Sequence, residues 1–399
     1  MGGLRASTRV IAFVKIALLA RILSPSEFGL FAIASLVLAF LEIVTETGIN
    51  VFLIQEKERI ENYLNTAWIV SIFRGILITL LLLISAPFIS SFFKSEDSLN
   101  LLLLISLVPF IRGFINPALV KLQKELLFGK EFLFRFAIFS FDALVAITLS
   151  LTTGSAISLV WGLIAGVFLE LILSYLLIKP YPKFVFEAVK AKRVISRGKW
   201  VTLAGIFDYL FREGDDIVVG RFLSVSSLGI YQMGYKISTL PITEVADVVI
   251  KVTFPVFVKI SQERERLKRA FLKSLAAVSL IVIPFGIILF IFTQEIVLIL
   301  LGEKWTEVEP ILKVLAAFGV VRAITSTTYP LFLAVKKQQY VAILTLVGIL
   351  GMTVSIIPLV RSYGVIGAGI SALIGAIIVV PFAVFFTIKL FTKRKWEFQ

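Results

Sequence analysis

The chain has 399 residues, of which 58% are hydrophobic and 17% charged, and its mean hydropathy is +0.98. That much apolar surface exceeds what a water-soluble core can bury, so a soluble globular protein is excluded. Histidine and cysteine are both absent, which excludes disulfides, thiolate metal sites and the most frequent general base. The net charge of +14 resides in short loops between apolar runs, a pattern typical of membrane orientation signals and not of nucleic-acid binding.

Apolar runs of helical length follow one another along the whole chain. They are longer than the roughly 10-residue strands of a membrane β-barrel, and a helix needs roughly 20 residues to cross a bilayer. We therefore predict an all-α polytopic bundle of twelve transmembrane helices. The predicted spans are 7–21, 28–53, 64–92, 98–117, 131–152, 155–178, 200–220, 226–256, 269–300, 308–333, 338–359 and 364–388.

The chain repeats itself. The stretch Arg21–Phe31, RILSPSEFGLF, returns 200 positions later as Arg221–Tyr231, RFLSVSSLGIY, and each copy is typical of a tight helical hairpin. Further matches pair Ile111-Arg112 with Val321-Arg322, Lys121-Leu-Gln123 with Lys336-Lys-Gln338, and Ala156–Gly162 with Gly369–Gly375. Apolar spans resemble one another by composition alone, but the kept order favours duplication. We predict two six-helix lobes around a central cavity, 1–180 and 200–399, joined by a basic linker, 181–199.

Lysine and arginine alternate from loop to loop along the twelve predicted spans. One side holds about five times as many as the other, which predicts that this side, with both termini, is cytoplasmic and that the protein lies in the cell membrane. The linker from Lys179 to Lys199 falls on that side. It is either an amphipathic helix on anionic lipid or a tether that carries orientation charge, and the tether is favoured because similar charge recurs in every inner loop.

Charged residues occur inside many spans, where each costs about 2.5–3.5 kcal/mol unless it faces a partner or water. Some recur at helical spacing, so that they form polar stripes, and Arg112 and Arg322 occupy matching repeat positions. For Arg135, Asp142 and Glu170 we favour structural ion pairs, and for Arg74 a side chain that reaches the interface. The candidate substrate-binding residues are Lys15, Arg112, Arg212, Lys236 and Arg322, and the candidate ion-coupling residues are Glu42, Glu46, Asp208 and Asp215.

Signatures of catalysis are missing from the sequence. It contains no nucleotide-binding Gly-Lys-Ser/Thr loop, no metal-ligand cluster and no large loop between spans that could hold a sugar donor or ATP. We therefore expect a transporter and not an enzyme, without a cofactor, driven by an H⁺ or Na⁺ gradient or by the substrate gradient. Because histidine is absent, carboxylates must carry any coupling ion.

Several stretches together resemble the polysaccharide-biosynthesis flippases, of O-antigen and colanic-acid type, within the multidrug/oligosaccharidyl-lipid/polysaccharide exporter superfamily. The stretches that carry the resemblance are Leu18–Phe31, Glu46–Asn50, Lys121–Leu126, Asp215–Leu223 and Leu301–Trp305. The resemblance implies that the substrate is an undecaprenyl-pyrophosphate-linked glycan, moved from the inner to the outer leaflet, with membrane lipids and other glycan-assembly proteins as partners. A multidrug or other lipid exporter of the same fold is the alternative, and a membrane glycan polymerase or ligase is less favoured because no large outer loop is present.

Overall fold

The computed structural model describes residues 2–56, 59–196 and 198–392, without the side chains of 2–10, 51, 193–204, 208, 211, 240, 241 and 243–247. All regular structure in this described part is helical. The chain divides into two compact units, Met1–Arg221 and Phe222–Gln399.

The first unit contains eleven helices and one short 3-10 helix within the described residues. In chain order they are α1 (Gly2–Ile22), α2 (Pro25–Val44), α3 (Ile49–Gln55), α4 (Glu61–Phe92), α5 (Ser98–Ile105), α6 (Leu107–Gly113), the 3-10 helix Pro117–Val120, α7 (Lys121–Lys124), α8 (Phe128–Thr153), α9 (Ile157–Leu177), α10 (Ala188–Ser196) and α11 (Gly198–Phe222).

The described part of the second unit is built from six α-helices and one 3-10 helix. These are α12 (Val225–Lys259), α13 (Arg264–Ile291), α14 (Thr293–Leu300), the 3-10 helix Glu303–Val308, α15 (Glu309–Ser326), α16 (Thr328–Ala334) and α17 (Gln338–Thr392). Helix α17 is interrupted at Gly364, where φ is 58° and ψ is −136°, so it consists of two straight segments.

Six described helices are long and apolar enough to cross a membrane, namely α2, α4, α8, α9, α13 and α17. A seventh span results if α5 and α6 are joined with the following 3-10 helix and α7, from which they are bent by 74°. The chain is therefore a helical, multi-pass membrane protein. The break at Gly364 falls at the first residue of the predicted span 364–388, while the full count of twelve stays a prediction.

The repeated hairpin motif forms the same local structure in both copies. Ser24 and Ser224 are extended residues just before α2 and α12, and each side-chain oxygen accepts a hydrogen bond from a backbone N–H three residues later. Serine is favoured at this position because it satisfies one of the unpaired N–H groups of the first helical turn. The predicted helix starts after Ser24 and Ser224 are therefore confirmed, while the hairpins stay predictions.

Further along the chain, matching backbone features lie 210 positions apart. Leu126 and Lys336 both have a φ of 57°, and Gly154 and Gly364 have φ values of 59° and 58°. Since Leu126 and Lys336 each follow the end of a short helix, Lys336 corresponds to Leu126. The predicted pairing of Lys121 with Lys336 is thus five residues out of register. The predicted pairing of Arg112 with Arg322 has the same 210-residue offset as these backbone features and is therefore in register with them.

Helix α11, predicted as the first span of the second lobe, packs within the first compact unit. The Tyr209 hydroxyl donates a hydrogen bond to the carbonyl oxygen of Leu36 on α2 at 2.7 Å, and its ring lies 5.6 Å from that of Phe40. The division by packing therefore falls at Arg221. The division into repeats at 1–180 and 200–399 concerns sequence correspondence, and it stays a prediction.

The linker is docked onto the first unit, contrary to the favoured interpretation of a plain tether. The backbone N–H of Lys183 donates to Asn65 Oδ1 at 2.8 Å, and that of Glu187 donates to Thr66 Oγ1 at 3.4 Å. Ala191 of α10 is buried in an apolar cluster with residues of α3 and α4. These local contacts, which charge counting cannot detect, hold the linker in place.

Candidate functional site: a charged cavity in the first unit

A cavity of about 380 Å³ lies in the first unit. Its walls come from α2, α3, α4, α6, α8, α9 and the segment between α6 and α8, so residues distant in sequence meet there. Three arginines and three glutamates line it, together with polar uncharged groups. The polar lining residues are Glu42, Asn50, Ser71, Arg74, Arg112, Asn116, Gln123, Glu131, Arg135 and Glu170.

Arg112 and Glu42 meet at this cavity and form an ion pair. Arg112 lies in the last turn of α6, and its Nη1 donates to Glu42 Oε1 on α2. The side chains are 40% and 28% exposed and line a cavity rich in polar groups, from which we infer that water reaches the pair. One predicted substrate-binding residue is thus joined to one predicted ion-coupling residue.

Arg74 caps the C-terminal end of α2. Its Nη2 donates to the carbonyl oxygen of Glu42 at 2.5 Å and to Glu46 Oε2 at 3.1 Å, and its Nε donates to Thr45 Oγ1 at 3.3 Å. A cation at the C-terminus of a helix satisfies free carbonyl groups and interacts favourably with the helix dipole. Arg74 is thus bound within the protein, and the expectation that it reaches the membrane interface stays a prediction. Glu46 also accepts from the Gly48 N–H at 2.8 Å, so it stabilises the same turn.

Arg135 provides the third positive charge of the cavity. Its Nη1 lies 3.7 Å from Glu170 Oε1 on α9, and its Nε lies 4.0 Å from Glu131 Oε1 one turn earlier on α8. The prediction that Arg135 and Glu170 take part in structural ion pairs is confirmed. One arginine therefore faces two glutamates on this side of the cavity.

Lys15 forms an ion pair away from the cavity lining. Its ammonium group donates to both carboxylate oxygens of Asp142 at 2.7 and 2.8 Å, and the two side chains are only 17% and 13% exposed. The prediction that Asp142 is an ion-pair partner is confirmed. Lys15 is predicted to bind substrate, but in this conformation its ammonium group is bound by Asp142.

Asn116 joins the cavity wall to the end of α9 and the start of the linker. The side chain is fully buried, and Nδ2 donates to the carbonyl oxygens of Ile178 and Pro180 at 3.2 and 3.1 Å. Its Oδ1 accepts from the Ala118 N–H at 3.0 Å, which starts the 3-10 helix. Sequence reasoning missed this residue, although the Asn-Pro dipeptide at 116–117 is a typical signal of a turn.

In the second unit, Arg322 has neutral partners among the contacts that the structure gives. Its Nη1 donates to the Tyr235 hydroxyl at 2.6 Å, and its guanidinium carbon lies 5.6 Å from the centre of the Phe318 ring. An arginine over an aromatic face keeps its charge while part of its surface is shielded from water. The neighbouring candidate Lys236 is partly buried.

The remaining candidates lie on α11. Asp215 is 4% exposed, and its Oδ1 accepts from the Asp216 N–H at 3.1 Å, whereas Arg212 is exposed. The side chain of Asp208 lies outside the described residues. Within the described part of the chain, no group of three or more Asp or Glu side chains is placed to hold a metal ion.

Comparison with known proteins places this chain among membrane proteins of glycan assembly. Residues 18–310 match the family described as polysaccharide biosynthesis protein. The chain is 28% identical to the teichuronic acid biosynthesis protein TuaB of Bacillus subtilis (strain 168) over 339 residues, which are 82% of this chain and 68% of TuaB. It is 25% identical over 325 residues to the succinoglycan biosynthesis transport protein ExoT of Rhizobium meliloti (strain 1021), covering 80% of this chain and 65% of ExoT.

Among solved structures, the fold resembles that of the lipid II flippase MurJ in an inward closed conformation. The TM-score is 0.74 at 18% sequence identity, and the match covers 98% of this chain and 88% of MurJ. At this identity the likeness concerns the fold alone. Because the family match extends over well more than half of the sequence, the chain belongs to the polysaccharide biosynthesis protein family.

Proposed function

We propose that this protein is a flippase that moves polyprenyl-pyrophosphate-linked oligosaccharide or polysaccharide repeat units from the inner to the outer leaflet of the cell membrane. Family membership supports this proposal, as do the functions of ExoT, a transport protein, and MurJ, a flippase. The observation that carries it is the water-accessible Arg112 on the wall of a cavity inside a membrane bundle. Other glycan-assembly membrane proteins are the expected partners.

The chemistry of such a substrate matches that cavity. A sugar headgroup and a pyrophosphate cannot cross hydrocarbon without compensation for the lost hydration. Arginine offers a planar fork of donors that fits two phosphate oxygens at once, and Ser71, Asn50 and Gln123 offer groups that pair with sugar hydroxyls. The lipid tail stays in the bilayer. We assign headgroup binding to Arg112 and, in other segments, to Lys15, Arg212, Lys236 and Arg322.

The proposed architecture is twelve spans in two six-helix repeats that alternate in access to the two sides. It is supported by the matched Ser24 and Ser224 caps and by the matched glycines at 154 and 364. The distribution of lysine and arginine supports cytoplasmic termini and a cytoplasmic linker. No catalytic step is required of this chain.

We further propose that carboxylates couple transport to an H⁺ or Na⁺ gradient and that no cofactor takes part. Glu42 is the leading candidate because its partner Arg112 is the group that the substrate would engage, and Glu46, Asp208 and Asp215 are the others. When a substrate phosphate takes Arg112, Glu42 loses its counter-ion, and a proton or Na⁺ replaces it. Substitution of Glu42 or Asp215 by its amide should make transport independent of the imposed gradient.

A multidrug or other lipid exporter is the second candidate. The three glutamates of the cavity favour it, because carboxylates attract cationic drugs. The three arginines balance them, and the family match favours the glycan substrate. A membrane glycan polymerase or ligase would need catalytic side chains on a large outer loop, and the longest connection between the described helices is the linker itself.

Reconstitution tests the proposed function directly. The purified chain is placed in liposomes with a fluorescent polyprenyl-pyrophosphate oligosaccharide, and a membrane-impermeant reagent measures the fraction in the outer leaflet. We expect rapid exchange that requires the protein and that the variant Arg112→Ala/Arg322→Ala slows strongly. Exchange no faster than in protein-free liposomes would contradict the proposal. Faster exchange of a cationic drug than of the glycan lipid would favour the exporter.

A further inference from the structure

The linker presents a row of exposed apolar side chains. Phe184, Phe186 and Val189 are 77%, 55% and 83% exposed. Lys183 and Lys192 lie beside them and are exposed as well. Contiguous exposed apolar residues of this kind mark a surface that contacts something other than water.

The opposite side of the same segment is fixed to the protein. The hydrogen bonds of the Lys183 and Glu187 backbone to the start of α4 set its path, and the burial of Ala191 sets the rotation of α10. Val189 and Lys192 are three residues apart on α10 and therefore share a face. The exposed row is thus presented by a docked backbone.

The position of the segment places this row at a membrane boundary. It begins directly after α9 and lies against the first turns of α4, and both helices are long and apolar enough to span a bilayer. A surface next to two span ends meets the headgroup layer, where aromatic rings and lysines are both favoured.

We propose that residues 181–192 form a lipid-binding element that inserts Phe184, Phe186 and Val189 among the headgroups and holds anionic lipid through Lys183 and Lys192. Apolar burial supplies attachment, and each lysine near an anionic surface adds roughly a fivefold gain in partition. Exposed apolar side chains flanked by lysines, next to the ends of two spans, favour a lipid surface over a protein partner. This proposal is independent of the transported substrate.

Because the chain contains no cysteine, single labels test the element in the full-length protein. Val189→Cys, labelled with an environment-sensitive dye, is placed in nanodiscs that carry nitroxide-labelled phosphatidylcholine or nitroxide-labelled phosphatidylglycerol. The matched control is Gln262→Cys, an exposed polar position between α12 and α13. We expect a blue-shifted emission at 189, quenching by both lipids and stronger quenching by phosphatidylglycerol. The variant Lys183→Gln/Lys192→Gln should lose this preference, by roughly fivefold per lysine.

Three results would overturn the proposal. Quenching of the label at 189 by aqueous iodide as efficiently as at 262 would mean that the row faces water. Protection from iodide and from both lipid quenchers would mean that a protein surface covers it. Lipid quenching without a headgroup preference would refute the role of the two lysines.

Discussion

The Arg112–Glu42 ion pair predicts that substitutions of its two members change substrate affinity in opposite directions. If an anionic headgroup must displace Glu42 to reach Arg112, then Glu42→Gln should tighten substrate binding and Arg112→Gln should weaken it. A pair that only stabilises the fold gives a different result, because loss of either partner then has the same effect on stability and little effect on affinity.

The exposure of the two side chains sets the size of the effect. At 40% and 28% exposure the pair is well hydrated, so its rupture costs about 1 kcal/mol at most. Removal of Glu42 should therefore tighten binding by up to about fivefold. Removal of Arg112 deletes charge-assisted hydrogen bonds that contribute about 1.5–3 kcal/mol, which weakens binding roughly 10- to 150-fold.

Calorimetric titration of a short-chain polyprenyl pyrophosphate into the purified variants measures both effects. The control is Lys121→Gln, which breaks the ion pair with Glu61 in the same unit but does not line the cavity. It should leave affinity unchanged. Equal weakening by Glu42→Gln and Arg112→Gln, or unchanged affinity in both, would refute the exchange between carboxylate and substrate.

Three further results are expected. In thermal unfolding, Gly75→Ala should lower the free energy of unfolding by about 1–3 kcal/mol, because a Cβ there meets the Pro109 carbonyl oxygen at 2.5 Å. The control Gly129→Ala has open space around the new Cβ and should raise the free energy of unfolding by about 0.5–1 kcal/mol. Asn116→Ala should cost roughly 1–3 kcal/mol in the same assay, since it leaves buried carbonyl groups without a donor. Single cysteines at Ser155 and Ser196 should react with an impermeant thiol reagent from opposite sides, and labelling of both from outside would contradict twelve spans.

Several features could be predicted because their causes are local in sequence. Ser24 and Ser224 announce a helix start through their own side chains, and Gly364 marks a break because few other residues adopt its backbone conformation. Long apolar runs reveal spans through composition. That Arg135 and Glu170 take part in ion pairs followed from the high energetic cost of an isolated charge in a membrane.

Other features could not be predicted because they depend on contacts between distant segments. Arg74 on α4 caps the C-terminal end of α2, and no periodicity in either helix shows which cation will lie there. The partner of Lys15 lies 127 positions away at Asp142. Hydropathy and spacing identify which residues need a partner, but the choice among many carboxylates is made by packing.

The two arginines at matching positions have different partners, so the sequence match predicts the residue but not its surroundings. Arg112 on α6 and Arg322 on α15 lie 210 positions apart, yet one pairs with the carboxylate of Glu42 and the other with the hydroxyl of Tyr235. A carboxylate neutralises a guanidinium, whereas a phenol hydrogen-bonds to it and leaves its charge in place. An anion that approaches Arg112 must compete with Glu42, whereas one that approaches Arg322 competes, among the described contacts, with the neutral hydroxyl of Tyr235 that accepts its hydrogen bond. Both arginines are cations, and the neighbouring side chain decides whether an incoming anion must displace a carboxylate, as at Arg112, or a neutral hydroxyl, as at Arg322.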